Sequence, residues 1–159
     1  MRAHLPTHKF SAIRTFVAVV AIGLFIGCSA ETTATEAVVY KESTCPCCDG
    51  WVKHLKKEGF NVKTEIRDDD MDKIKAANGV TPKLASCHTA KIGGYVIEGH
   101  VPAADVKRLL KEKPADIVGL TAPGMPMKSP GMQAEELPPK GYDVIAFKKD
   151  GTTEVYTRY

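Results

Sequence analysis

The 159-residue chain has no long apolar run, no internal repeat and no surplus of charge beyond its first residues. Its longest hydrophobic stretch, residues 16–27, is shorter than the roughly 20 residues that a membrane-spanning helix needs. Three of the 22 basic side chains and none of the 19 acidic ones lie in residues 1–27, which leaves 19 of each in the rest. Because no basic patch remains, the sequence gives no support for nucleic acid as a partner.

The first 27 residues are typical of a signal peptide. Three basic residues precede the short apolar run: Arg2, Lys9 and Arg14. The run ends in residues 24–28, which resemble a bacterial lipobox and predict lipidation of Cys28, although Phe25 stands where Leu is usual. The alternative is ordinary cleavage near Ala30, which gives a soluble periplasmic product. Either way we expect export to the periplasm of a Gram-negative bacterium, with a membrane anchor at Cys28 in the first case.

Behind this signal peptide of the lipoprotein type (1–27) we expect a linker (28–36) and one domain (37–159) that contains four cysteines: Cys45, Cys47, Cys48 and Cys87. A thiolate is a nucleophile, a redox group and a ligand for soft metals. Cysteines of exported proteins are often structural disulfides. However, a bridge inside residues 45–48 closes a tiny loop and removes little unfolded-state entropy. Structural pairing of Cys87 with the cluster stays open as an alternative, but the spacing favours chemistry.

The cluster lies at the predicted start of a helix. A short strand at 37–40 precedes it, and four residues follow with the i, i+3, i+4, i+7 spacing of an amphipathic helix: Cys48, Trp51, Val52 and Leu55. Ser43 or Thr44 is the expected N-cap, and Gly59 ends the helix. Cys45 and Cys47 then lie in the first turn, where free N–H groups and the helix dipole favour a thiolate.

The rest of the domain alternates strands and helices. A strand at 60–66 leads to Asp68, Asp69 and Asp70, which we interpret as caps of a second helix rather than as a hard-metal site. That helix carries Met71, Ile74 and Ala77. Further strands are predicted at 84–87 and 91–98, bent at Gly93-Gly94, with a helix between Pro102 and Pro114 and a terminal hairpin at 142–147 and 153–157.

This order predicts an α/β, thioredoxin-like single domain with a C-terminal β-hairpin. Cys45 and Cys48 form a Cys-x-x-Cys pair of the kind found in redox proteins of that fold. Thr81-Pro82 lies just before a predicted strand, where the fold commonly holds a cis-proline. That last expectation is by analogy only.

Taken together, the motifs resemble those of the CopG-type periplasmic metal-binding proteins. They are Thr44-Cys45-x-Cys47-Cys48, Ser86-Cys87-His88-Thr89-Ala90, Glu98-Gly99-His100-Val101-Pro102 and Pro123-Gly124-Met125-Pro126 to Ser129-Pro130-Gly131-Met132. The resemblance implies a thioredoxin-like fold, copper binding and a role in copper resistance, although many members are known only as domains of unknown function. Lys128 and Pro46 stand where the family often has glycine, and neither change affects a thiol.

The donor set independently favours copper. Cu(I) prefers thiolate and thioether ligands, whereas zinc takes four ligands in a tetrahedron. The adjacent residues Cys47 and Cys48 fit two corners of one tetrahedron poorly, while thiolates that bridge several ions use neighbouring sulfurs well. We therefore expect more than one Cu(I) ion on the four cysteines, with mononuclear zinc as the alternative. All four sulfurs must then converge, although Cys87 is remote in sequence.

The sequence also contains candidate metal ligands other than the cysteines. His88 is a candidate ligand because it follows Cys87 directly, and Met125 and Met132 are candidates in a Pro- and Gly-rich loop that cannot be helical. Met127 is less favoured, and the alternative for this loop is a lid packed by its thioethers. We interpret His54 as a packing residue, His100 as a hydrogen-bonded structural histidine and Trp51 as core.

Three functional classes remain open. The first is a copper-binding module that buffers or oxidises periplasmic copper, together with other periplasmic copper-handling proteins. The second is a thiol-disulfide oxidoreductase that uses Cys45 and Cys48 without a stable metal site. The third is a structural envelope lipoprotein. The first two can be one mechanism, because oxidation of the thiols to a disulfide removes metal ligands.

Overall fold

The structure is a computed structural model that describes Met1 and residues 34–159. Apart from Met1, the predicted signal peptide lies outside the described residues, as do the lipidation site Cys28 and most of the predicted linker. Within the described part, no helix combines the length and the apolar character needed to cross a membrane.

The described residues form a mixed α/β fold with seven strands and three helices. The strands are β1 (Glu36–Lys41), β2 (Asn61–Ile66), β3 (Thr89–Ile92), β4 (Tyr95–Gly99), β5 (Ile117–Ala122), β6 (Asp143–Lys148) and β7 (Thr153–Arg158). The helices are α1 (Pro46–Lys57), α2 (Met71–Ala77) and α3 (Ala103–Glu112).

All seven strands belong to one sheet in the order β2-β1-β3-β4-β5-β6-β7. The pairs β1–β2 and β4–β5 are parallel, and each is joined across a helix, as parallel pairs require. The other four pairs are antiparallel. The predicted terminal hairpin is therefore confirmed, and it extends the sheet at the edge opposite β2.

Helices α1 and α3 bury their apolar faces in one cluster with the sheet. The four predicted residues of the α1 face are all buried, and Val106 and Leu109 of α3 are fully buried. The cluster includes Val39, Trp51, Leu55, Ile97, Val106, Leu109 and Leu120. Gly59 follows α1 with a φ of 90°, a left-handed conformation that suits glycine and confirms the predicted helix end.

Two predicted faces are wrong in detail. The apolar alternation in residues 60–66 predicts one buried face, but β2 lies at the edge of the sheet and Ile66 of that face remains 50% exposed. In α2 the buried positions are Met71 and Lys75, while Ala77 is exposed. Lys75 is buried because its ammonium group has an acidic partner inside the protein, which periodicity cannot reveal.

The region around the second half of the sheet also differs from the prediction. Strand β5 is not among the predicted strands, and residues 84–87 form turns and a single bridge from Ser86 to Gly124 rather than a strand. The Thr81–Pro82 peptide is not cis, so the expected cis-proline is wrong. The N-cap of α1 is Cys45, without a side-chain cap, rather than Ser43 or Thr44. Pro46 at the first helical position removes one of the N–H groups that a cap would satisfy.

Candidate metal centre

The four cysteine sulfurs converge at the N-terminus of α1, as the sequence predicts. Their Sγ atoms all lie within 4.8 Å of one another. Cys45 and Cys48 are joined in a disulfide. Cys47 Sγ lies 3.5 Å from Cys45 Sγ and 3.9 Å from Cys87 Sγ, and neither Cys47 nor Cys87 is in a disulfide. The oxidised site thus offers two thiols, and its reduced form offers four.

The β3–β4 hairpin brings Cys87 and two histidines together. Cys87 and His88 directly precede β3, and His100 directly follows β4. Because Thr89 pairs with Glu98 across the hairpin, Cys87 and His100 come to lie side by side. Cys87 Sγ is 3.0 Å from His100 Nε2 and 3.3 Å from His88 Nδ1. The ligand atoms of these three residues form a second compact group, which shares Cys87 with the cysteine cluster.

The hydrogen bonding of His100 determines which ring nitrogen carries the hydrogen and which directs a lone pair toward Cys87 Sγ. His100 Nδ1 lies 2.8 Å from the carbonyl oxygen of Pro130. A carbonyl only accepts, so Nδ1 carries the hydrogen and Nε2 presents its lone pair to Cys87. The sequence predicts the hydrogen-bonded histidine but misses its contact with the thiol. If the hairpin turns at Gly93-Gly94, its register places residue 87 opposite residue 100. That register was the sequence signal that could have predicted the contact between Cys87 and His100.

His88 is completely buried beside Trp51. The two ring centroids are 4.4 Å apart, and His100 meets the His88 ring edge-on at 5.0 Å. The Nε2 atom of His88 has no hydrogen-bond partner among the described residues. Burial lowers the pKa of His88 well below its ordinary value, and burial also lowers the pKa of His100.

The thiol of Cys87 is also held neutral. Burial, reinforced by the nearby Cys47, raises the pKa of Cys87 to about 12. At neutral pH the metal-free site therefore contains neutral imidazoles and a protonated Cys87. A metal ion that binds Cys87 must displace its proton, which favours an ion with strong affinity for sulfur. Sulfur and imidazole donors of this kind fit Cu(I), and they also fit zinc.

Solved structures of similar sequence exist. Two of them, named "Copper resistance protein copG- Form 2" and "Copper resistance protein copG- Form 1", are each 38% identical to the chain with a TM-score of 0.72. Each match covers 80% of this chain, and 99% and 98% of those chains respectively. The chain belongs to the CopG copper resistance family. A family model described as "Protein of unknown function, DUF411" matches residues 84–132, and no curated protein gives a significant match.

In this CopG-family chain the predicted Met-containing loop reaches the site through its backbone. Ser86 Oγ donates to the carbonyl of Gly124, and the carbonyl of Pro130 holds His100. Gly131 has a φ of 85°, and a Cβ there would lie 2.4 Å from the backbone nitrogen of Trp51. The loop thus packs on α1 so closely that only glycine fits.

The methionines differ in exposure. Met125 is 57% exposed and Met127 is 72% exposed, while Met132 is half-buried next to the glycine contact with α1. Met125 directly follows Gly124, which bridges to Ser86 beside Cys87. Ligation by Met125 and Met132 remains a prediction.

The remaining predicted residues have structural partners. His54 Nε2 accepts a hydrogen bond of 3.0 Å from the backbone N–H of Ala103 and so caps the start of α3. Trp51 is buried and donates from Nε1 to the carbonyl of Val101 at 2.8 Å. In the acidic triplet, Asp68 accepts from the Ser43 N–H and Asp70 pairs with Arg67. Asp70 is the N-cap of α2 by position but makes no side-chain cap bond.

The buried histidines make the stability of the metal-free domain sensitive to acid. In the unfolded chain His88 titrates near 6.5, but in the folded domain burial keeps it neutral to well below that pH. Below about pH 6.5 the unfolded state binds a proton that the folded state does not, so stability present above that pH is lost as the pH falls. We expect a loss of about 1.4 kcal/mol per pH unit for each histidine behaving in this way.

Thermal or urea melts of the metal-free domain between about pH 7 and pH 5 measure this loss. His88→Gln should reduce the slope of the unfolding free energy against pH by the contribution of about one proton, whatever it does to stability at neutral pH. A pH dependence of the unfolding free energy that His88→Gln leaves unchanged would contradict the neutral, buried state of His88.

Proposed function

We propose that this protein binds Cu(I) through the thiolates of Cys45, Cys47, Cys48 and Cys87 and serves copper resistance or homeostasis in the periplasm. The observation that carries the proposal is the convergence of the four sulfurs within 4.8 Å, two of them from adjacent residues. Adjacent thiolates are well placed to bridge neighbouring ions, so the proposed site holds more than one Cu(I). The copper resistance proteins of similar sequence support the same assignment.

The proposal extends to the rest of the donor set and to the fold. His88 and His100 face Cys87 and would complete the coordination, with Met125 and Met132 as thioether ligands from the loop. The thioredoxin-like fold is supported by the strand order β2-β1-β3-β4, in which β1 is parallel to β2 and antiparallel to β3. Export with a lipid anchor at Cys28 is the accompanying proposal for location, with copper ions and periplasmic copper-handling proteins as the partners.

Anaerobic reconstitution with competing metals tests the proposal. The domain is reduced, so that four thiols are free, and is then offered equimolar Cu(I) and Zn(II). We expect copper to be retained on desalting in more than one equivalent, with the four thiols protected from alkylation. One equivalent of zinc bound in preference to copper would overturn the Cu(I) assignment and favour the mononuclear zinc site.

A second candidate function is thiol-disulfide exchange, and the Cys45–Cys48 disulfide at a helix start favours it. In that reaction a substrate dithiol is oxidised to a disulfide while the Cys45–Cys48 bond is reduced to two thiols. Oxidation of one equivalent of a peptide dithiol per Cys45–Cys48 disulfide by metal-free protein, lost in Cys45→Ser, would support this function. A protein that neither binds metal nor exchanges disulfides would leave the structural envelope lipoprotein as the remaining class.

A further inference from the structure

A buried carboxylate lies directly behind the Cys87 loop. Glu98 on β4 is fully buried, and both of its oxygens are occupied. Its Oε1 accepts from Lys75 Nζ at 2.6 Å and from the backbone N–H of Ser86 at 2.7 Å, and its Oε2 accepts from Thr89 Oγ1 at 2.6 Å. Lys75 Nζ also lies 3.3 Å from Thr89 Oγ1, which closes the network.

The two loop partners of Glu98 flank the Cys87-His88 pair. Ser86 immediately precedes Cys87, and Thr89 immediately follows His88. Residues 84–87 have no strand ladder to hold them, so the charged acceptor supplies the hydrogen bond that the Ser86 N–H would otherwise lack. Ser86 also packs closely against the end of β4, since a Cβ on Gly99 would lie only 2.4 Å from the Cβ of Ser86.

The ion pair is poorly explained by stability alone. Burying a lysine and a carboxylate costs desolvation energy, and an apolar pair of similar size often gives equal stability. An apolar pair could not, however, accept hydrogen bonds from the Ser86 N–H and the Thr89 hydroxyl. The specific gain from Glu98 is therefore the fixed position of the loop that carries Cys87.

We propose that Glu98 is a positioning residue that holds Cys87 at the metal centre, with Lys75 balancing its buried charge. The inference rests on the proposed copper function but adds a residue that does not itself touch the metal. Glu98 acts through Cys87, so its effect on copper should disappear when Cys87 is absent.

Two matched double variants separate positioning from folding. Lys75→Met with Glu98→Gln removes both charges but keeps an amide oxygen for Ser86 and a donor for Thr89. Lys75→Met with Glu98→Leu removes both charges and both hydrogen bonds. We expect the Gln variant to bind Cu(I) like the wild type and the Leu variant to bind about 10- to 100-fold more weakly, as is typical when an outer-shell partner is removed.

A double-mutant cycle with Cys87→Ser gives the decisive readout. In the Cys87→Ser background the Leu variant should cause no further loss of Cu(I) affinity. An equal loss in both backgrounds would show general damage and overturn the proposal, as would wild-type affinity in the Leu variant. If the Leu variant does not melt cooperatively, Thr89→Val removes one arm of the network and makes the same comparison.

A copper-free measurement keeps this inference separate from the proposed function. With Cys45, Cys47 and Cys48 replaced by serine, the alkylation rate of Cys87 reports its position in metal-free protein. The alkylation rate of Cys87 should rise several-fold in the Leu variant and stay unchanged in the Gln variant. Unchanged rates in both would overturn the positioning role. Failure of wild-type protein to bind copper, with the expected alkylation rates, would overturn the copper function alone.

Discussion

Replacement of Cys45, Cys47 and Cys48 together by serine should abolish stable Cu(I) loading of the reduced domain. These three residues provide three of the four sulfurs that lie within 4.8 Å of one another. Serine hydroxyls are hard donors with little affinity for Cu(I), so the lone Cys87 thiol and the histidines could not hold a polynuclear site. Anaerobic loading, desalting and metal counting measure the effect.

Single substitutions compare the contributions of individual sulfur atoms to copper loading. Cys47→Ser should remove more copper than Met125→Leu, because Cys47 lies between Cys45 and Cys87 whereas Met125 is largely exposed on the loop. Met125→Leu is the matched control, since it changes one sulfur donor and leaves the size of the side chain nearly constant. Equal copper loading by the wild type and the triple serine variant would reject thiolate ligation.

The second large effect concerns stability rather than copper. Leu55→Ala should lower the free energy of unfolding by about 2 to 5 kcal/mol, because Leu55 is fully buried in the cluster between α1 and the sheet. Cys45→Ser should instead lose copper while the reduced, metal-free domain keeps its cooperative melt. Cys45 lies at the helix start and is only half-buried, so serine fits there without leaving a cavity.

Urea denaturation of both metal-free variants under reducing conditions makes the comparison. Reduction matters because Cys45→Ser also removes the Cys45–Cys48 disulfide. A wild-type domain that is already unfolded without metal would contradict this separation, since folding and metal binding would then be one event. Collapse of the metal-free melt in Cys45→Ser alone would give Cys45 a structural role.

Local patterns were sufficient to predict the elements that lie under the site. The apolar spacing of α1 identified all four of its buried residues. Between the two last predicted strands the sequence has Asp150-Gly151, a pair typical of hairpin turns, and it identified the terminal hairpin. Strand β5 was missed because it is central and largely buried, so it shows a short continuous apolar run instead of alternation. Gly119 adds to the difficulty: it is required because a Cβ would lie 2.0 Å from the Val96 carbonyl, but it weakens any strand pattern.

The site was predictable to the extent that its residues are adjacent in sequence. The cysteine cluster at residues 45–48 was evident from spacing, and its convergence with Cys87 was expected because the four cysteines were predicted to share one soft-metal site. The contact between Cys87 and His100 depends on hairpin register, and the support from Glu98 and Lys75 depends on contacts between α2 and β4. Such contacts join residues 13 and 23 positions apart, which periodicity within one element does not encode.

X-ray absorption at the copper edge of the anaerobically reduced, Cu(I)-loaded protein tests whether the four cysteines hold a polynuclear Cu(I)-thiolate site. We expect a first coordination shell dominated by sulfur and a copper–copper scattering contribution, both of which disappear in the Cys45/Cys47/Cys48 triple serine variant. A first shell of nitrogen and oxygen alone, or a spectrum that the serine substitutions leave unchanged, would contradict a polynuclear Cu(I)-thiolate site at these four cysteines.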